Sequence, residues 1–103
     1  MRACVLTATG GIDKLQVTQV PDAPPPGPGE VRVAIRAAAL NHLDLFVADG
    51  LPGTADRFPW VMGADGAGTI ESAGPGVTTV HVGDRVMLNP GISDYSCEFC
   101  RAG

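Results

Sequence analysis

The sequence predicts a small, mainly β protein folded as a partly open β-barrel with short helices. The 103 residues include 14 glycines and nine prolines. These residues interrupt long helices, because each costs about 1 to 3 kcal/mol in a helix interior. The segments between them are short and rich in Val, Ile and Thr, and several alternate apolar and polar side chains with the period of a β-strand. A chain of this length forms one domain at most.

The bounds of the predicted elements follow from the alternation and from the residues that end it. Strands are predicted over residues 1–7, 15–20, 30–37, 69–73 and 84–88. The second of these is expected to be half-buried, and Cys4 in the first is expected to be a small buried side chain. Leu40, Leu43 and Val47 share one face of a short helix predicted over 41–48, which Gly50 can end. Residues 21–29 hold five prolines and two glycines and predict an extended connection outside the sheets.

Composition and charge exclude several classes of protein. The net charge of −4 argues against a nucleic-acid partner, which would need clustered Lys and Arg. No apolar run approaches the roughly 20 residues of a membrane-spanning helix, and the first residues lack a secretory signal. Two of the three cysteines are spaced as Cys97-x-x-Cys100, which indicates a metal or redox pair rather than a disulfide framework. We therefore expect a cytoplasmic protein without nucleic-acid or membrane partners.

Five short motifs occur in an order and spacing typical of one known domain. They are Gly29-Glu30-Val31, Asn41-x-x-Asp44, Gly63-x-Asp65-x-Ala67-Gly68, Gly76-Val77 and Gly83-Asp84-Arg85-Val86. Together they resemble the N-terminal, GroES-like catalytic domain of the medium-chain dehydrogenase/reductase superfamily. That superfamily includes zinc alcohol dehydrogenases and zinc-free quinone oxidoreductases.

The resemblance covers nearly all of residues 1–103, and it implies a GroES-like domain that stops within a structural-zinc loop. The superfamily's nucleotide-binding Rossmann domain is not found in this sequence. The resemblance further implies an NAD(P)H cofactor, a small-molecule substrate and a homo-oligomer, either a dimer or a tetramer, in the intact protein. The fragment alone is expected to be inactive.

The resemblance also aligns the catalytic zinc ligands of the alcohol dehydrogenases with this chain. Where those enzymes place a cysteine and a histidine, this sequence has Asn41 and Ala64. Neither an amide nor a methyl group replaces a thiolate or imidazole ligand, so no catalytic zinc is expected. His42 is a conceivable displaced ligand, but we interpret it as a residue at the helix start or the rim of a cleft.

The Asn41-x-x-Asp44 motif is similar to that of the quinone oxidoreductases. The resemblance implies hydride transfer from a nicotinamide, with Asn41 donating a hydrogen bond to the acceptor and with Asn41 and His42 beside the cofactor. A quinone or enone is already electron-poor, so such a donor can stabilise its developing oxyanion. Asp44 is a second catalytic candidate, with a structural role at the helix end as the alternative. Phe46 and Trp60 are candidates for the substrate pocket or for packing.

The final ten residues resemble the structural zinc lobe of the alcohol dehydrogenases. Cys97 and Cys100 match the second and third ligands, and Asp94 stands at the position of the first. A carboxylate can bind zinc, so we expect a structural zinc in the intact protein, with a redox pair as the alternative reading. Two other functions remain open: a zinc-dependent alcohol dehydrogenase with atypical ligands, and a stand-alone GroES-like module without catalysis.

Overall fold

The computed structural model describes residues 1–51, 57–91 and 96–102. Six strands and two helices form within them. The strands are β1 (Arg2–Leu6), β2 (Leu15–Gln19), β3 (Val31–Ala39), β4 (Trp60–Val61), β5 (Asp65–Ala73) and β6 (Arg85–Met87). The helices are α1 (His42–Asp49) and α2 (Glu98–Ala102), and a 3-10 turn spans Ile12–Lys14.

The strands form two antiparallel sheets of three strands each. The first has the order β2-β1-β4 and the second the order β3-β5-β6. Neither sheet closes on itself, so the prediction of a mainly β, partly open fold is confirmed. Within the described part of the chain, no helix has both the length and the apolar character needed to cross a membrane.

The longest ladder joins β3 to β5, and glycine makes its close approach possible. A Cβ atom added at Gly68 would lie 2.0 Å from the carbonyl oxygen of Ala34 on β3. The glycine-rich segment is therefore part of a strand, and β5 begins at Asp65, four residues before the predicted start at residue 69.

The first sheet carries the main core, because α1 packs against it. Leu6 of β1 is fully buried and contacts Val47 and Ala48 of α1, with Leu15 and Met62 packed around them. Helix α1 ends at Gly50, whose φ of 108° is in the left-handed region and whose N–H donates to the carbonyl oxygens of Phe46 and Val47. The helix thus begins and ends within one residue of its predicted bounds.

Several sequence expectations about burial and local structure are wrong. Strand β2 was predicted to be half-buried, but Val17 is 65% exposed because β2 is the edge strand of a sheet that α1 covers only near Leu15. Cys4 on β1 is exposed rather than buried. Strand β4 was not predicted, since two residues are too few for a detectable period. The segment predicted as a loop around the paired cysteines contains helix α2.

Candidate functional site

Asn41 lies at the start of α1 and forms the helix N-cap. Its side-chain Oδ1 accepts a hydrogen bond from the backbone N–H of Leu43 at 2.7 Å. In return, Oδ2 of Asp44 accepts from the backbone N–H of Asn41 at 3.0 Å. This reciprocal capping box satisfies two backbone donors that the first helical turn would otherwise leave unpaired. It holds both the backbone and the side-chain carbonyl of Asn41 in place.

The amide nitrogen of Asn41 makes a third contact. Nδ2 donates a hydrogen bond to Oδ2 of Asp65 at 2.5 Å. Asp65 is the first residue of β5 and pairs with Ala39, the last residue of β3, two positions before Asn41. The β3–β5 ladder therefore brings the carboxylate to the N-terminus of α1, across a separation of 24 residues in sequence.

An open cleft of about 620 Å³ lies beside this helix start. Its polar wall consists of Asn41, His42 and Asp44. The remaining wall is apolar and is made by Ile12, Leu15, Leu40, Leu45 and Met62. The size is within the range of small-molecule and cofactor sites, which are mostly apolar with a few convergent polar groups.

The predicted pocket residues Phe46 and Trp60 do not line this cleft. Phe46 is 56% exposed, and its ring stacks on that of His42 with the centroids 6.5 Å apart. Trp60 lies on β4 and lines a separate cavity of about 170 Å³ together with Asp44 and Ala64. Asp44 thus borders both spaces, while substrate contact by Phe46 or Trp60 stays a prediction.

The donor set at the helix start does not fit a catalytic zinc ion. The Oδ1 atom of Asn41 already accepts a hydrogen bond from the backbone N–H of Leu43, and the methyl group of Ala64 has no lone pair to bind a metal. Zinc needs thiolate, imidazole or carboxylate ligands. The described ranges contain no group of three His, Cys, Asp or Glu residues placed to hold a metal ion. The ring of His42 stacks on Phe46, which fits the interpretation of this residue as part of the cleft rim.

The structure describes only part of the predicted structural-zinc site. Cys97 is exposed and directly precedes α2, and its carbonyl oxygen accepts from the N–H of Arg101 at 3.1 Å. Asp94 and the Cys100 side chain lie outside the described residues. Zinc binding by Cys97, Cys100 and Asp94 therefore stays a prediction.

Sequence reasoning found Asn41 and Asp44 but missed Asp65. The resemblance brought out the first two because they share one short motif. Asp65 appears in the sequence only as a member of the glycine-rich motif, with no role of its own. Its spacing from Asn41 carries no local signal, and only the register Ala39↔Asp65 brings the two side chains together.

Comparison with known proteins places the chain in a family. Residues 27–103 match the family described as "Alcohol dehydrogenase GroES-like domain". The human synaptic vesicle membrane protein VAT-1 homolog is 42% identical over 89 residues, which are 85% of this chain and 23% of that protein. The chain thus spans about a quarter of the length of this curated relative.

Two solved structures share the fold. The crystal structure of an NAD-dependent alcohol dehydrogenase is 49% identical and has a TM-score of 0.88, and the match covers 99% of this chain and 29% of that one. The Escherichia coli quinone oxidoreductase complexed with NADPH is 28% identical with a TM-score of 0.76, over 84% of this chain and 26% of that one. Both are longer enzymes whose matching part is this β domain. The chain therefore belongs to the alcohol dehydrogenase GroES-like domain family.

Proposed function

We propose that this chain is the catalytic domain of an NAD(P)-dependent oxidoreductase that transfers hydride to a quinone, an enone or a related electron-poor carbonyl compound. The observation that supports it best is the Asn41 amide at the wall of an apolar cleft, in the position where an alcohol-oxidising relative has a zinc ligand. Because the chain spans about a quarter of the curated relative's length, the activity belongs to the longer protein.

The chemistry of the cleft suits a neutral acceptor. A nicotinamide ring is flat and largely apolar, and a cleft of about 620 Å³ with one polar wall has room for it beside a small substrate. When bound, the cofactor supplies the hydride. Asn41 and His42, which form part of the polar wall of the cleft, would contact it from the helix start. Asn41 would donate its remaining amide hydrogen to the oxygen that becomes negative, and a donor already fixed in place needs no reorganisation during the reaction.

Asp44 has a supporting role in this proposal. Its carboxylate holds the Asn41 backbone N–H at 3.0 Å, so it fixes the helix start rather than exchanging a proton. This fits the structural alternative for Asp44. Phe46 and Trp60 lie outside the cleft wall, and contact with a bulky substrate is proposed only for Trp60, which borders the adjoining cavity.

The proposal also covers the ligands, the assembly and the location of the intact protein. The intact protein binds NAD(P)H and a small-molecule substrate, and it assembles as a dimer or tetramer in the cytoplasm. It has no nucleic-acid partner, which the net charge of −4 supports, and no membrane partner. A structural zinc is held by Cys97, Cys100 and Asp94 with a further ligand from the continuing chain, since a closed structural site takes four ligands.

A zinc-dependent alcohol dehydrogenase is the second candidate. One observation favours it. The NAD-dependent alcohol dehydrogenase matches 99% of this chain with 49% identity, whereas the quinone oxidoreductase matches 84% of this chain with 28% identity. It conflicts with the donor set, since Asn41 and Ala64 provide no zinc ligand. We therefore place it second.

The two candidates differ in the acceptor and in the need for metal. The protein encoded by the complete reading frame is purified, and loss of NADPH absorbance is followed with a panel of quinones, enones and aldehydes, with and without a strong chelator. We expect turnover of quinones or enones that the chelator leaves intact, and at most one zinc per subunit. Aldehyde turnover that the chelator abolishes, together with two zincs per subunit, would contradict the proposal. Failure to bind NADPH would favour a non-catalytic module.

The role of Asn41 is tested separately with the variant Asn41→Ala. Removal of one hydrogen-bond donor to a developing oxyanion lowers kcat by roughly 100-fold, so we expect a loss of that size with the best acceptor. Glu71→Ala is the matched control, because Glu71 is an exposed residue of β5 whose carboxylate pairs with Arg32 at 3.1 Å. Equal kcat values for the two variants would exclude Asn41 from the reaction.

A further inference from the structure

We propose that Asp65 is a positioning residue, which orients the Asn41 amide so that its nitrogen, and not its oxygen, is presented to the reacting atoms. This inference rests on the proposed function. It concerns the side chain of Asp65, which lies at the start of β5 and does not line the cleft.

All but one of the hydrogen-bonding groups of the Asn41 amide are engaged by neighbouring residues. An asparagine side chain has one carbonyl oxygen and two N–H donors. Here the oxygen accepts from the N–H of Leu43 and one donor bonds to the Asp65 carboxylate. One N–H therefore remains, with no partner among the described residues, on a side chain that lines the cleft.

The contacts with Leu43 and Asp65 select one of the two possible orientations of the Asn41 amide. Rotation by a half turn would place the Asn41 oxygen against the Asp65 carboxylate and the NH₂ group against the N–H of Leu43. Both of these contacts are repulsive, because each brings together two acceptors or two donors. The helix terminus and the carboxylate therefore select the same orientation, and the charged partner makes the stronger hydrogen bond.

Both partners of the Asn41–Asp65 hydrogen bond are held in place by the surrounding backbone. Asp65 is held by the β3–β5 ladder through its pairing with Ala39, and the Asn41 backbone is held by Asp44. Both ends of the Asn41–Asp65 hydrogen bond thus belong to regular structure. A donor fixed before the substrate arrives needs no reorganisation during the reaction.

Loss of Asp65 is expected to act through the orientation of the Asn41 amide. Without the carboxylate, the flipped amide faces the developing oxyanion with its own oxygen, and the donor is lost for part of the molecules. Asp65 carries a negative charge, which would not itself favour an oxyanion nearby. Its contribution is therefore to orientation, and it should affect kcat more than KM. A neutral acceptor oxygen at position 65 should therefore preserve much of the wild-type kcat.

The experiment is a double-mutant cycle in the complete protein with the best quinone or enone acceptor. Asp65→Ala is expected to lower kcat roughly tenfold, which is less than the roughly 100-fold that misplacement of a reacting group can cost. In the Asn41→Ala background the same substitution should change kcat by less than about twofold, because residues that act as a unit are not additive. Asp65→Asn keeps a carbonyl acceptor and should lose less than Asp65→Ala. Glu71→Ala is the control on the same strand.

A second readout uses the protein without cofactor or substrate. The side-chain amide signals of Asn41, labelled with ¹⁵N and assigned by their absence in Asn41→Ala, should shift in Asp65→Ala and stay in place in Glu71→Ala. If Asp65→Ala does not fold, Asp65→Ser replaces it, since the shorter side chain cannot span the same distance. Melting temperatures identify variants whose loss of activity is a loss of folding.

The outcomes separate this inference from the proposed function. A tenfold loss for Asp65→Ala that persists in the Asn41→Ala background would overturn the positioning role, because Asp65 would then act independently. Unchanged Asn41 amide signals in Asp65→Ala would overturn it as well. An Asn41→Ala variant with full activity would instead remove the role proposed for Asn41 in the reaction, while the amide signals would still report whether Asp65 orients Asn41.

Discussion

The close contact between β3 and β5 leaves no room for a side chain at Gly68. In Gly68→Ala the added Cβ would lie 2.0 Å from the Ala34 carbonyl oxygen and 2.8 Å from its carbon. The strands would have to separate until that distance exceeds 3.0 Å, a shorter contact being essentially absent from real structures. Adjacent strands are only about 4.8 Å apart, so this movement breaks ladder hydrogen bonds on both sides of Gly68.

We expect this variant to lose about 3 kcal/mol of unfolding free energy or more. Overpacking costs about 1 to 3 kcal/mol in cores that can partly adjust, and here the obstacle is backbone rather than a side chain. Two weakened ladder bonds add about 1 kcal/mol each. A loss of this size is a large fraction of the roughly 5 to 15 kcal/mol that stabilises a typical domain.

Gly66→Ala is the matched control on the same strand. A Cβ at Gly66 would meet the terminal methyl groups of Ile35 at 3.3 Å and Leu88 at 3.4 Å, which can rotate away. We expect a change within about 1 kcal/mol, since alanine also reduces the entropy of the unfolded chain. Urea unfolding of the two variants, with the wild-type slope checked in each, measures the difference. Equal unfolding midpoints for the two variants would refute the argument that a side chain at position 68 forces β3 and β5 apart.

Two further predictions concern the ion pair between Met1 and Asp22 and the glycine that ends α1. The Met1 ammonium group donates a hydrogen bond to Asp22 at 3.0 Å and lowers the pKa of that carboxyl below its usual value. The resulting stability is present above the unfolded pKa of about 3.9 and is lost as the pH falls through the folded pKa. Asp22→Asn should therefore flatten the acid dependence of the melting temperature, and a profile parallel to wild type would contradict this. Gly50→Ala forces a side chain to a φ of 108° and should cost about 1 to 2 kcal/mol by thermal unfolding followed by circular dichroism. A Gly50→Asn variant should lose less unfolding free energy than Gly50→Ala, because asparagine tolerates left-handed conformations.

The parts of the fold that the sequence predicts well are those with a local signal. The alternation from residue 30 onward gave β3 nearly in full, and the asparagine and glycine at the two ends of α1 are residues that begin and end helices. In contrast, the exposure of Val17 on β2 depends on what packs above the sheet. Alternation shows that a strand has two different faces, but not that a neighbouring element covers one of them.

The candidate site divides in the same way. The amide at position 41 and the methyl group at position 64 are read directly from the sequence, and they conflict with a zinc ligand set wherever the residues lie in space. The partner of that amide is not readable, because Asp65 is 24 residues away and meets Asn41 only through the register of two strands.

The amino-acid sequence by itself determined the chemistry available at the start of α1: an amide donor, a capping carboxylate and no metal-binding side chain at positions 41 and 64. The tertiary structure alone decided what the amide nitrogen faces. The hydrogen bond between Oδ1 and Leu43 is local, whereas the one between Nδ2 and Asp65 joins distant residues and exists only after the β3–β5 ladder has aligned their backbones. Residue identity limits which interactions are possible, and strand register selects the one that forms.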